Sequence, residues 1–112
     1  MKTIYKYQID LQNLDKIFEV PLDRFLTAQL QYGSIMVWAA IDTNLPKQKI
    51  KFDVYGTGDP QADTTGKNYL GTVQCLSGNI VLHVFWSYAE FKREYTNIFG
   101  KELKDTEEKT YF

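Results

Sequence analysis

The sequence predicts a mainly β chain, folded as a single small antiparallel β-sandwich or barrel-like domain with a C-terminal amphipathic helix. Three observations carry that expectation. Apolar and polar residues alternate with period two in several short runs over the first 87 residues. Glycine, proline, asparagine and serine punctuate the runs, and after Trp86 the apolar spacing changes to that of a helix. A length of 112 residues with 44% hydrophobic content suits one domain with one modest core. The domain is expected over residues 1–100, followed by a charged, flexible tail over 101–112.

In the first run Thr3, Tyr5, Tyr7 and Ile9 share one face, and Lys2, Ile4, Lys6 and Gln8 the other. Ile17 to Val20 makes a short strand that Pro21 stops. Next, Leu26, Ala28, Leu30 and Tyr32 point one way and Thr27, Gln29 and Gln31 the other, which predicts one buried and one wet face. Tyr32-Gly33-Ser34 forms a turn. Ile35 to Ile41 and Asn79 to Trp86 are apolar on both faces, as central strands covered on two sides would be, one cover being this chain or a neighbouring subunit. Between them, Ile50, Phe52 and Val54 face inward and Lys51, Asp53 and Tyr55 outward. Asp59 to Asn68 is a polar surface loop, and Ser77-Gly78-Asn79 closes a hairpin. Tyr88, Phe91, Tyr95 and Ile98 or Phe99 then fall at helical spacing, Ser87 and Glu90 form an S-x-x-E capping box, and Gly100 is a helix stop, so a helix is expected over 88–99. Such a helix either packs on its own chain or serves an oligomer contact.

Charge and composition narrow the function. Thirteen Lys plus Arg against 14 Asp plus Glu argue against a coat for duplex DNA. A lone cysteine, Cys75, forms no internal disulfide and suits a reducing compartment. The first residues lack the apolar core of a signal peptide, and no run approaches the roughly 18 apolar residues of a membrane helix, so a soluble intracellular protein is expected. His83 stands alone among apolar neighbours and reads as a structural histidine that can still bond a ligand from its less buried side. One His and one Cys make no zinc site. The Gly-x-Gly of residues 56–58 lacks the third glycine of a dinucleotide fingerprint and the Lys-Ser or Lys-Thr of a P-loop. Asp53 and Asp59 offer a carboxylate pair that the spacing does not single out. Binding without turnover, with no catalytic residues, cofactor or metal, is therefore expected.

The binding chemistry concentrates where a strand runs into Val54-Tyr55-Gly56-Thr57-Gly58-Asp59-Pro60. Glycines there admit close backbone approach, and Thr57 and Asp59 add short polar groups. The motif is echoed at Tyr69-Leu70-Gly71-Thr72. Both segments also serve as ordinary turn signals.

In order, Ile4-Tyr5-Lys6-Tyr7, Trp38-Ala39 before Asp42 and Pro46, the Y-G-T-G-x-P element, Tyr69-Leu70-Gly71-Thr72 and His83-Val84-Phe85 resemble a family of small phage proteins with a C-terminal H-V-F strand. The resemblance runs from Thr3 to Phe85; Trp86 and the helical extension depart from it. It implies an oligomeric sponge, a tetramer by preference, acting in the cytoplasm of the infected host cell. Its ligand would be a cyclic di- or oligonucleotide or a cyclic ADP-ribose-type signal, withheld from immune effectors of the CBASS or Thoeris type. On that implication Tyr55 and Trp38 stack on bases, the amides of Gly56 to Gly58 and the Thr57 hydroxyl hold phosphate oxygens, Arg24 or Lys67 neutralises charge, and Asp59, Tyr5, Tyr7 and His83 are further contacts. Each has a structural alternative: Trp38 as core packing, Arg24 and Lys67 as solvated surface. The rival functional reading is a protein-interaction module presenting its tyrosines to a host or virion protein. A small hydrolase of nucleotide signals is a third.

Overall fold

A computed structural model of the chain describes residues 1–89. Among them are seven strands: β1 (Lys2–Gln8), β2 (Ile17–Val20), β3 (Leu22–Gln31), β4 (Ser34–Asp42), β5 (Gln48–Gly56), β6 (Asn68–Cys75) and β7 (Ile80–Tyr88). All pairing is antiparallel. The strands form a three-stranded sheet of order β1-β4-β3 and a four-stranded sheet of order β2-β5-β7-β6. The mainly β, antiparallel expectation therefore holds, in the form of two sheets packed over one core.

Alternation decides which side chains enter that core. Ile35, Val37, Ala39 and Ile41 of β4 meet Ile50 and Phe52 of β5, Val84 of β7 and Val73 of β6. A line of aromatic rings runs through the same interior. Phe52 sits 5.2 Å from Phe18 and 5.6 Å from Phe25, and Phe25 lies 5.0 Å from Trp86, in edge-on or tilted pairs that satisfy the ring quadrupoles. Tyr7 extends the line by packing edge-on against Phe18 at 5.9 Å.

Three connections shape the topology. Pro21 is buried between Val20 of β2 and Leu22 of β3, where the chain leaves one sheet for the other. Proline has no amide hydrogen to leave unpaired at such a step, and its carbonyl accepts the Asp42 amide at 3.0 Å. The β3–β4 turn places Tyr32 and Gly33 at φ 52° and 79°, the paired positive angles of a two-residue hairpin turn. The β6–β7 hairpin closes through a single 3-10 turn at Leu76–Gly78, with Leu76, Ser77 and Gly78 all at positive φ.

Two expectations need correction. Strict alternation does not hold in β3, because its register against β4 shifts between Leu22 and Arg24 and again between Phe25 and Thr27. Each bulge changes which face the next residue takes. Leu22, Phe25 and Ala28 consequently turn to the core and Leu26 turns outward, while Leu30, on the face of Ala28 and opposite the buried Ile35, keeps 39% exposure and Tyr32 stands in solvent. At the other end, Tyr88 is the last residue of β7, not the first of a helix, and the Ala89 amide still bonds the Lys49 carbonyl at 2.9 Å. Ser87 likewise lies within the strand. The rest of the expected helix and the 101–112 tail lie outside the described residues.

The two sheets approach most closely where β6 passes β3. A Cβ added at Gly71 would stand 3.4 Å from the Ala28 Cβ and amide nitrogen and 3.5 Å from its carbonyl oxygen. Gly71 also marks a register shift: Tyr69 pairs with Phe85 and Gly71 with Val84, so Leu70 is one residue extra to the ladder.

Two stability measurements follow. Phe52→Ala, at a site 2% exposed, is expected to cost about 3–5 kcal/mol in urea unfolding. Gly71→Ala is expected to be nearly neutral, since its Cβ would make ordinary contacts, whereas Gly71→Val pushes methyl groups toward the β3 backbone and should lose about 1–3 kcal/mol.

Candidate functional site

The outward face of the four-stranded sheet gathers most of the chemistry-bearing residues. Register places Tyr55 opposite His83 and Asp53 opposite Phe85 on one side of β7, and Thr72 opposite His83 and Tyr69 opposite Phe85 on the other. These residues share a face because directly paired positions point the same way. Phe85 is the centre of an aromatic row, with Tyr55 6.0 Å away at a tilt and Tyr69 5.6 Å away edge-on. Tyr69 is 61% exposed, so the row is open to solvent at that end.

The two motifs that recur in the sequence flank His83 from opposite strands. Tyr55 and Thr57 are two residues apart and share a face without help. Tyr69 and Thr72 are three apart and would point to opposite faces in a regular strand; the extra Leu70 at the bulge restores them to the same one. A hydrogen-bond chain results. Thr57 Oγ1 lies 2.8 Å from His83 Nε2, His83 Nδ1 lies 3.0 Å from Thr72 Oγ1, and Thr72 Oγ1 lies 2.5 Å from the Tyr69 hydroxyl. Both imidazole nitrogens are thus engaged.

Beside this chain, Asp53 is charged, outward-directed and nevertheless only 7% exposed. Its Oδ1 accepts from the Lys51 ammonium at 2.7 Å. Its Oδ2 is 3.5 Å from the Lys67 ammonium, an ion-pair distance without hydrogen-bond geometry, and has no hydrogen-bond partner. Lys67 donates instead to the Tyr55 hydroxyl at 2.5 Å. Since the same ammonium is 5.1 Å from the Tyr55 ring centre, it lies off the end of the ring, not over its face. The Tyr55 hydroxyl in turn donates to the Asp63 carbonyl at 3.1 Å. Hydrogen bonding to Tyr55, reinforced by the charge of Asp53, raises the Lys67 pKa above its ordinary value against the opposing effect of burial.

The loop between β5 and β6 is held by successive turns. Asp59 N bonds Gly56 O at 3.1 Å with Gly58 at φ 85°, the positive angle a glycine supplies at the third position of a type II turn. Asp59 Oδ1 accepts the Gln61 amide at 2.9 Å and Asp63 Oδ1 the Thr65 amide at 3.0 Å. The Thr65 amide is the main reason the Asp63 carboxyl is held below its ordinary value. Asp53 and Asp59 therefore serve separate purposes, one among lysines and the other as a turn cap.

Of the residues expected at the site, Tyr55, Gly56, Thr57, Gly58, Asp59, Lys67 and His83 lie on this face or its adjoining loop. The Thr57 amide is already committed to the Val81 carbonyl at 3.2 Å, and the Thr57 hydroxyl oxygen is 2.8 Å from His83 Nε2. Trp38 and Arg24 belong to the other sheet, where Trp38 pairs with Lys6 and Thr27, and Arg24 with Ala40. Trp38 lines a shallow groove there of about 290 Å³ with Ile4, Leu26, Thr27 and Gln29, and the Lys6 ammonium is 6.0 Å from its ring centre. Tyr5 and Tyr7 pair with the buried Ala39 and Val37, on the core side of β1. Burial first, and the neighbouring Tyr5 second, raise the Tyr7 pKa. One chain therefore cannot bring Trp38 and Tyr55 onto one ligand, because they face outward from opposite sheets. Residues of the site that were not among the expected contacts are Lys51, Tyr69, Thr72 and Phe85; the echoed motif had marked Tyr69 and Thr72 without giving them a role in binding. Among the described residues no group of three His, Cys, Asp or Glu side chains is placed to hold a metal ion, and no helix is long and apolar enough to cross a membrane.

A group whose folded pKa is raised contributes stability that is complete below its unfolded value, ordinarily 10.5 for lysine, and is lost as pH climbs through the folded value. The stability difference between wild type and Lys67→Met is expected to stay constant from about pH 6 to 9 and to shrink only in more alkaline solution, as urea midpoints would record.

Neither a curated protein nor a solved structure matches the chain. A family model described as a domain of unknown function (DUF7352) matches residues 1–94, a span that takes in every strand of the two sheets, and the chain belongs to that family.

Proposed function

We propose that this domain binds a cyclic nucleotide signal on the outward face of its four-stranded sheet and holds it without turnover. The observation that carries the reading is the joining of three complementary groups on one face: the Tyr55–Phe85–Tyr69 row, the Lys51 and Lys67 ammoniums, and the hydroxyl-imidazole chain centred on His83. Aromatic faces stack bases with little regard to sequence, while ammonium and hydroxyl donors suit phosphate oxygens. The resemblance to phage sponge proteins supplies the context, in which capture in the cytoplasm of an infected cell would keep CBASS- or Thoeris-type effectors silent.

The ligand would draw Lys67 away from Asp53 as its phosphate approaches, with Lys51 left to neutralise the carboxylate. A drug-sized ligand normally has most of its surface buried. The open Tyr69 end of the row therefore favours a second copy as the cover, and with it a homo-oligomer, a tetramer in the preferred version. Trp38 and Arg24 would then act between copies or not at all.

A protein-interaction module is the second reading, favoured by one observation. The outward face of the three-stranded sheet carries Ile4 at 60% exposure beside Leu26 and the Trp38 groove, an apolar surface apart from the lysine-aromatic face. Nucleotide-like ultraviolet absorbance in the purified protein, released intact on heating, separates capture from this alternative and from hydrolysis.

Thermal shift against cyclic dinucleotides, cyclic trinucleotides and cyclic ADP-ribose isomers tests the proposal, since a ligand bound only by the folded state raises its stability by RT ln(1 + [L]/Kd). A large shift with one of them is expected, and no shift with any of them sinks the reading. Tyr55→Ala should weaken binding about tenfold or more while Tyr55→Phe retains most of it, stacking being worth about 1–3 kcal/mol per base. Light scattering should report an oligomer; a monomer with bound ligand would overturn the covering copy.

A further inference from the structure

The chain Tyr69, Thr72, His83, Thr57 has a direction, and that direction determines what its open end can bind. Each of the three hydroxyls carries one hydrogen and the neutral imidazole carries one, giving four hydrogens for the three internal bonds. One hydrogen is left over, and where all three bonds run in one sense it emerges at one end or the other. If every bond runs from Tyr69 toward Thr57, the surplus donor is the Thr57 hydroxyl. If every bond runs the other way, it is the Tyr69 phenol.

The acidity of the two partners in the Tyr69–Thr72 bond argues for the first. A phenol is a far stronger acid than an aliphatic hydroxyl, and the aliphatic oxygen is the better acceptor, so the phenol donates. Thr72 accepts from Tyr69, and the other protein group bonded to its hydroxyl is His83 Nδ1, 3.0 Å away, to which its own hydrogen is directed when the bonds run in one sense. Nδ1 is then an acceptor, which puts the ring hydrogen on Nε2. Nε2 donates to Thr57 Oγ1 at 2.8 Å, and the Thr57 hydrogen has no receiver within the chain. Thr57 is exposed, in the turn that ends β5, beside Gly58.

We propose that the Tyr69–Thr72–His83–Thr57 chain fixes His83 as its Nε2–H tautomer and presents the Thr57 hydroxyl as an outward donor that seats an anionic oxygen of a phosphate group. The ligand class rests on the nucleotide reading above; the direction of the chain does not. Thr57 is the contact residue, and Tyr69, Thr72 and His83 are positioning residues that act through it. The bulge at Leu70 is what recruits Tyr69, so it sets the polarity of a group on a different strand. A phosphate bonded to Thr57 adds an acceptor at the end of the chain and strengthens each bond behind it, since chains of hydrogen bonds polarise one another.

Because the chain contains a single histidine, its imidazole gives one unambiguous nitrogen pattern. Long-range proton–nitrogen correlation on the full-length labelled protein at about pH 8, above the ordinary histidine range, is the experiment. The expected result is a protonated Nε2 and bare Nδ1 in wild type, with Tyr69→Phe shifting the ring toward a mixture of tautomers. Wild type with a protonated Nδ1, or a Tyr69→Phe variant with the wild-type pattern, overturns the direction. Titration with inorganic phosphate, against chloride at matched ionic strength, should move the His83 nitrogen resonances. Thr57→Val, a substitution in an exposed turn, should weaken that response about tenfold or more, as loss of a hydrogen bond to a charged group does. A phosphate response equal to that of chloride overturns the anion seat even if a cyclic nucleotide binds. A phosphate response in a protein that ignores every cyclic nucleotide supports the seat and removes only the nucleotide reading.

Discussion

One inserted residue governs the arrangement on which the rest of this structure depends. Leu70 has no partner of its own in the β6–β7 ladder, and its presence lets the strand change phase between Tyr69 and Thr72. On the inner side, Gly71 is directed at Ala28, which is how β6 closes on β3 and the two sheets meet along that flank. On the outer side, Tyr69 and Thr72 return to one face and meet through their hydroxyls. Packing and polar organisation are thus coupled through a single step of register, and neither can be altered there without the other.

The outer face is built around a charge that the fold declines to expose. A carboxylate turned away from the core would ordinarily sit in water, yet Asp53 is enclosed with an ammonium bonded to one oxygen and a second nearby. Desolvating a carboxylate is costly, and the hydrogen-bonded Lys51 with the nearby Lys67 offsets that cost. Lys67 stands at the end of the β5–β6 loop, and Tyr55 joins it to the Asp63 carbonyl at the loop's centre. The loop is therefore tied to the strand electrostatically, and an anion that competes for Lys67 acts on the loop and the sheet together.

What the sequence made legible follows from how each element keeps its phase. In β5 the alternation of Ile50, Phe52 and Val54 with Lys51, Asp53 and Tyr55 runs without interruption, and its faces are those expected. In β3 two bulges intervene, and a period-two reading sends Leu26 inward when Phe25 goes there instead. The same limit separates the expected site residues. Alternation says which side of its own strand a residue takes, but not which sheet the strand joins. Tyr55, Thr57, Lys67 and His83 proved to be neighbours because β5, β6 and β7 are adjacent; Trp38, Arg24, Tyr5 and Tyr7 reside in β1, β3 and β4, across the core. The surroundings of Asp53 were only half local, since Lys51 is two residues away on the same face and Lys67 fourteen away beyond the loop.

The exchange of sheets at Pro21 has a consequence for how the chain reaches this state. The β3–β4 and β6–β7 hairpins join neighbours in sequence, whereas β1 must find β4, with Lys2 opposite Asp42, and β2 must find β5. Loop-closure entropy makes such distant pairings late and slow. β1 and β2 are therefore among the last of these strands to gain partners, and β1 carries Ile4 and Tyr5 unprotected while it waits. Lys2 and Lys6, spaced along that same strand, are the residues that keep an unpaired edge from joining another chain.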